Sequence, residues 1–368
     1  MEYISACTDC RKETKNPLDY KCSCGQPLET CIDLRFESRK IKKRTYTLWR
    51  YAVFIPYTKD MEITTLGEGW TPFVRFSNNI YFKLENLNPT GSFKDRGSTV
   101  LISALRRLVE GTGSCISEDS SGNAGASIAA YAARAGLRAK IYVPDKISGP
   151  KFDQIRFYGA EVVKVSGGRE RVAQEAQKNG RRKFYVGHIL HPLFRDGIRS
   201  LSYEIAEQFD WDIPEYIYMP VSAGTLLLGV IGGFRHLVES GMIDAPPKIV
   251  ACQTRQVSPL YHQYRNTSYT PSENFTSIAD ALVSVDPPLL NIMIRRLREI
   301  NGEAVVVEED ETFNAFKELS GKGFFVEPSS AVPYAAYKKK LKNRELSKDD
   351  DVLIILTGTG LKTKLKPC

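Results

Sequence analysis

Nowhere does this chain carry an apolar run approaching the roughly 18 uninterrupted residues that a membrane-spanning helix needs. Its start, MEYISACTDC, lacks the basic-then-apolar layout of a secretory leader, so the expectation is a cytoplasmic protein with no membrane partner. Eight cysteines in 368 residues are too sparse for a disulfide framework. The net charge is +8, yet the basic residues form no aromatic-interleaved array and no zinc-finger spacing of the DNA-reading type. The clusters at 39–44, 180–183 and 338–343 read as solvated surface, and no nucleic-acid partner is expected. A basic surface would also suit small anionic substrates. No internal repeat or long low-complexity linker appears.

What is present is ample apolar content, 42% of residues, enough for a large core and for two or three structural units. Residues 1–35 stand apart. Cys7-x-x-Cys10 and Cys22-x-Cys24 are two cysteine pairs on short polar turns, the arrangement that can close a tetrahedral zinc site in a segment too small for its own core. The second pair is tighter than usual, and Cys31 could substitute for one ligand. Cys115 and Cys252 fall in β-like runs, where a buried thiol acts as a small hydrophobe.

From about residue 80 short apolar runs alternate with helical patterns. Strands are expected at 79–85, 114–118, 139–144, 160–166, 183–188, 215–221, 247–253, 303–309 and 351–360. Helical spacing fills 98–109, 125–135, 197–209, 226–239, 288–299, 311–320 and 329–342. Fully apolar strands separated by helices imply parallel sheets covered on both faces, hence an α/β protein with more than one sheet.

In such sheets ligands lie at the carboxyl ends of strands, where a loop enters a helix. Four junctions have unusual loops. NPTGSFKDRG (88–97) sets Lys94 between Phe93 and Asp95 in a Gly-flanked turn. EDSSGNAGAS (118–127) offers Asn123, whose amide both donates and accepts, although Asn in a Gly-rich turn often serves the turn alone. PVSAGTLLLG (220–229) gathers small residues, Ser222, Ala223, Gly224, Thr225 and Leu226, before a helix. That loop is either a plain tight turn or a phosphate cradle of converging backbone N–H groups. It is not GxGxxG and has no Walker lysine, which disfavours dinucleotide and NTP binding. LTGTGLK (356–362) places the Thr357 and Thr359 hydroxyls after a strand, as helix caps or as donors to a heteroaromatic nitrogen. One ligand answers all four: an aldehyde for Lys94, a ring hydroxyl for Asn123, a phosphate for 222–226 and a ring nitrogen for Thr357. That ligand is pyridoxal 5′-phosphate, an electron sink for a carbanion.

The stretches NPTGSFKDRG, SSGNAGASIAAYAARAG, FVEPSSAVPYAA and TGTGLK, with GEGWTP (67–72) and the cysteine-rich start, resemble the threonine synthases and their close relatives among fold type II pyridoxal-phosphate enzymes. The likeness covers nearly the whole chain. It implies two three-layer α/β/α domains with the cofactor between them, plus a short N-terminal cysteine-rich ribbon. The large domain would be 45–82 with 190–368, and the small mobile domain 83–189, closing over substrate to exclude water. The family implies Lys94 as cofactor lysine and proton shuttle, Phe93 beside the cofactor, Asn123 at the ring hydroxyl, Ser222 to Leu226 at the phosphate and Thr357 at the ring nitrogen. It also implies a homodimer and the conversion of O-phospho-L-homoserine and water into L-threonine and phosphate, while the cysteine spacing alone suggests structural zinc on Cys7, Cys10, Cys22 and Cys24, or a vestigial zinc ribbon.

The chain departs from the family at 188–200. Where the usual pattern resembles N-S-x-N-P-x-R-x-x-G-Q-K-T, this sequence reads HILHPLFRDGIRS. Ile189 and Phe194 occupy the Ser and Arg positions, and Ala124 replaces a common Thr. Ser222 and Ala223 stand for the more usual Gly-Asn. His188, His191, Arg195 and Arg199 could rebuild an anion site, so Arg195, Arg199, Ser120 and Ser121 are the expected substrate-binding residues. These departures leave open a relative that performs β-replacement or β-elimination on O-phosphoserine, serine or threonine. A catalytically idle binding protein is disfavoured, because Lys94, Asn123 and Thr357 are all kept.

Overall fold

The structure is a computed structural model that describes residues 3–56, 61–178, 183–271 and 277–364. Most of the basic cluster at 180–183, and Cys368, lie outside the described residues. In chain order the strands are β1 (Ser5–Cys7), β2 (Glu13–Thr14), β3 (Leu28–Thr30), β4 (Phe73–Ser77), β5 (Ile80–Lys83) and β6 (Cys115–Glu118). Then come β7 (Arg138–Pro144), β8 (Glu161–Val165), β9 (Lys183–Tyr185), β10 (Tyr216–Pro220), β11 (Lys248–Thr254), β12 (Glu303–Val307) and β13 (Val352–Ile355). The helices of the first half are α1 (Lys94–Val109), α2 (Asn123–Arg134), α3 (Pro150–Phe157), α4 (Arg169–Gln177) and α5 (Pro192–Gln208). Those of the second are α6 (Thr225–Glu239), α7 (Pro259–Tyr264), α8 (Leu290–Glu299), α9 (Glu309–Gly321) and α10 (Pro328–Lys342). Among the described residues no helix is long and apolar enough to cross a membrane.

The chain divides into two units. The first takes in everything up to Gly69, Asn88–Ser200 and the end from Lys362; the second is Trp70–Leu87 with Leu201–Leu361. The first contains a four-stranded parallel sheet in the order β8-β7-β6-β9. Every residue of β6 is buried, as a strand covered on both faces requires. Helix α2 is mostly Ala, Gly and Ser on its buried side, which lets it lie close to α1, α3 and the sheet. The N-terminal segment folds as a separate antiparallel sheet, β2-β1-β3, around Cys7, Cys22 and Leu28.

The second unit is a six-stranded sheet, β12-β11-β10-β13-β5-β4, parallel except for the antiparallel edge strand β4. Its central strands β10, β11 and β13 are buried almost throughout, and β10 and β13 are rich in β-branched and aromatic residues. Helix α10 packs across β10 to β13, and its Tyr334 meets Phe76 and Phe82 edge to face in the core, as Phe324 meets Phe82. A buried ion pair ties β5 to the residues that close α5. The Lys83 Nζ lies 2.5 Å from Glu204 Oε1 and also donates to the Thr71 carbonyl and to Gln208.

Candidate active site

In the first unit the loop 88–97 is held by one carboxylate. Asp95, fully buried, accepts from the Thr90 N–H (2.7 Å), the Thr90 hydroxyl (2.6 Å) and the Ser127 hydroxyl (2.6 Å). Burial is the main cause that pushes its carboxyl up to about 6, against the pull of those donors and of Lys362. Asn88 accepts from the Gly69 N–H, and Gly91 takes a left-handed φ of 82° that turns the chain into the helix. Lys94 is thereby fixed as the first residue of α1 and is only half-buried. Its Nζ lies 4.6 Å from the centroid of the Phe93 ring and 5.7 Å from that of Phe194.

Asn123 opens α2 beside it in sequence order, and no side chain caps that helix. A Cβ on Gly125 would fall 1.8 Å from the Ser120 carbonyl, so the loop 118–122 folds back on the helix only because residue 125 is glycine. Ser120 accepts from the Gly122 N–H, and Ser120 and Ser121 are both half-buried.

Segment 188–200 is occupied differently from what its charge suggests. Arg195 is buried and donates to the carbonyls of Ile189 and Leu190 at 3.0 Å each, and to that of Leu28 in the cysteine-rich segment. Arg199 pairs with Asp196 at 2.9 Å, and Asp196 accepts from the Thr30 hydroxyl. Both guanidinium groups are thus engaged where the N-terminal ribbon docks on α5. His191 is buried and held neutral, its imidazole pushed down to about 3 by burial and then by Arg195.

In the second unit α6 begins at Thr225, after Gly224 at φ 96°. A Cβ on Gly224 would lie 2.3 Å from Met293 Sδ, so this turn needs glycine both for its φ and for space. No side chain caps α6, whose N-terminal dipole favours an anion, and Ser222 accepts from the Ser284 N–H at 3.4 Å. Thr357 follows β13, and its hydroxyl lies 2.8 Å from that of Ser330 in the first turn of α10. Ser330 also accepts from the Gly358 N–H at 2.9 Å, and a Cβ on Gly358 would strike the Glu327 carboxylate at 2.5 Å. Ser330 is the partner that sequence reasoning missed, although the Ser-Ser pair after Pro328 was its signal. Taken separately, each unit offers donor chemistry that suits pyridoxal phosphate: the first an amine on a fixed helix start, the second a glycine-shaped helix N-terminus and a strand-end hydroxyl.

The four cysteine sulfurs of Cys7, Cys10, Cys22 and Cys24 lie within 4.8 Å of one another. Three of the separations are 3.5, 3.6 and 3.7 Å. Four thiolates around zinc would be about 3.8 Å apart, from Zn–S bonds of about 2.3 Å in a tetrahedron. Cys31 is exposed and outside the cluster.

Residues 64–358 match the family described as pyridoxal-phosphate dependent enzyme. The chain is 31% identical to a threonine synthase of Methanocaldococcus jannaschii, covering 98% of this chain and 93% of that one. It is 29% identical to a threonine synthase of Methanosarcina acetivorans, covering 98% and 92%. Among solved structures, a pyridoxal 5′-phosphate-dependent aspartate racemase superposes with a TM-score of 0.66 at 20% identity, over 89% of this chain and 96% of that one. Maize serine racemase superposes at 0.64 and 22%, over 80% and 89%. The chain therefore belongs to the pyridoxal-phosphate-dependent enzymes of fold type II, as a lyase of the group formed by the threonine synthases and their close paralogues.

Proposed function

We propose that this enzyme converts O-phospho-L-homoserine and water into L-threonine and inorganic phosphate. The observation that carries the reading is Lys94, held by the Asp95-braced loop as the first residue of α1, in a chain whose near-full-length relatives bear the name threonine synthase. Pyridoxal phosphate, when bound, supplies the ring that accepts the electron pair left by a departing substrate proton. Lys94 and Phe93 with Asn123 in the first unit, and Ser222, Ala223, Gly224, Thr225, Leu226 and Thr357 in the second, are the residues assigned to hold it. A hydroxyl at Thr357, unlike a carboxylate, would leave the ring nitrogen without a proton.

Lys94 would carry the substrate's protons, taking one at the α carbon and returning one where it is needed. Because a single amine held close to the substrate performs each transfer, the steps are effectively intramolecular. Ser120 and Ser121 would offer hydroxyls to the amino-acid carboxylate. The direct test is threonine and phosphate appearing in equal amounts from O-phospho-L-homoserine. Phosphate without threonine would refute the reading.

A second reading has its own support. With Arg195 and Arg199 engaged by Leu28 and Asp196, they are poorly placed to rebuild the substrate-phosphate site. That favours a paralogue acting by β-replacement or β-elimination on O-phosphoserine, serine or threonine. Turnover of those amino acids, with O-phospho-L-homoserine inert, would establish it.

The cysteine cluster we assign to structural zinc on Cys7, Cys10, Cys22 and Cys24. The sulfur separations support this, and so does the tiny core of the segment, which needs a staple. One zinc per chain by elemental analysis, lost in Cys10→Ser, is the expected result; a metal-free native protein would refute it.

A further inference from the structure

A buried acid–imidazole pair sits at the carboxyl ends of two neighbouring strands of the first unit, outside the residues assigned above. Glu118 ends β6, and His188 follows β9, which pairs with β6 in parallel. Glu118 Oε1 lies 2.6 Å from His188 Nδ1, and Glu118 Oε2 accepts the His188 N–H at 3.0 Å. Both side chains are buried. The Phe194 ring meets the His188 ring at 5.6 Å on one side and the Lys94 ammonium at 5.7 Å. We propose that Glu118 and His188 are positioning residues for Lys94: sharing one proton, they set how readily the Lys94 nitrogen takes up and releases its own.

The coupling is electrostatic. With Glu118 ionised, His188 donates from Nδ1 and its Nε2 is bare. When the pair gains a proton at Nε2, the Nδ1 proton passes across 2.6 Å to the carboxylate, and the charge of the pair goes from negative to neutral. An imidazolium is disfavoured, since burial first and the Lys94 charge second push His188 well down. Burial lifts the Glu118 carboxyl to about 7, against the backbone of His188 and the charge of Lys94. The other groups facing the pair are Asp119, which accepts from Tyr185 at 2.7 Å, and Arg169 at the start of α4. A unit of negative charge therefore comes and goes beside Lys94 near neutral pH. When it is present the ammonium is stabilised; when it is absent the free amine is favoured.

This rests on Lys94 being the cofactor lysine, and the test separates the two. The visible absorbance of the pyridoxal-phosphate-loaded chain, titrated from acid to alkaline pH, reads the proton on the Lys94 nitrogen. Glu118→Gln should move that titration down by about one pH unit, a tenfold change in proton affinity. His188→Leu should move it the same way, because a buried carboxyl without its partner stays protonated. Glu118→Asp should restore most of the native curve. The native chain should itself show a second inflection near neutrality, which keeps the test open if a variant fails to fold. A native curve with one inflection, or identical curves in native and Glu118→Gln, overturns the pair's role. A native chain that shows no cofactor absorbance at all overturns the Lys94 assignment instead.

Discussion

Phe194 Cδ1 lies 2.5 Å from the point where a Cβ on Gly97 would be, so the ring fills the space of that missing side chain one turn after Lys94. Gly97 is helical, and a glycine there costs the helix about 1 kcal/mol against alanine. Close packing of the Phe194 ring one turn after Lys94 is what offsets the cost. Gly97→Ala should therefore destabilise the protein by roughly 1–3 kcal/mol despite its better helix propensity. Adding Phe194→Leu should recover most of the loss, and thermal unfolding of the single and double variants measures it. A neutral or stabilising Gly97→Ala would show that the ring moves freely.

Gly224 combines a left-handed backbone with contact against Met293. Gly224→Ala should strain the start of α6 and weaken pyridoxal phosphate binding by about tenfold or more, since the N–H groups would no longer converge. Titration of the cofactor by fluorescence checks this. Free pyridoxal should be less affected than its phosphate, because the loop is assigned to the phosphate.

Glu204 accepts from Lys83 and from the N–H groups of Trp70 and Thr71, with no solvent contact on either side chain of the ion pair. Glu204→Ala leaves the Lys83 charge buried and uncompensated, which should cost about 3–5 kcal/mol. Replacing both, as Lys83→Met with Glu204→Leu, should cost less than the single change. Denaturant melts give both values.

Asp95 predicts a pH effect. Its carboxyl is raised by burial to about 6 in the folded chain, from an unfolded value of 3.8. Between those values the folded state holds the proton more tightly. Asp95 therefore favours folding fully below the unfolded value, and that contribution is lost as pH rises through about 6. The difference in thermal midpoint between the native chain and Asp95→Asn should shrink as pH rises from 5 to 7 (approximate bounds set by the same linkage). A constant difference would mean that Asp95 does not titrate there.

The parallel strands and most helices were legible because fully buried strands are continuous apolar runs, and helices keep their period. The loop 88–97 was legible as a turn feeding a helix, since Gly91 and the polar residues around it have a composition that suits a turn, and Lys94 does open α1. Strand β4 was not, since FVRFS lies on a sheet edge with alternating burial and pairs through a two-residue turn at Asn78 and Asn79. Helix α1 starts at Lys94, four residues before the periodic pattern begins, and takes in Gly97, whose packing against a ring 97 positions away in the chain no local signal reports. The pairing of Glu118 with His188, and of Thr357 with Ser330, depends on which strand lies beside which. Sequence periodicity carries no register of that kind. The capture of Arg195 by Leu28 is hidden for the same reason: a basic residue in a site-like segment looks available until the ribbon that covers it is placed.

The most direct measurement is to incubate the purified chain with pyridoxal phosphate, reduce it with borohydride and map the modified peptide by mass spectrometry. The account predicts a single stoichiometric modification on Lys94, absent from Lys94→Ala, which should keep its fold. Modification of a different lysine, or none above the level of scattered surface lysines, would contradict it.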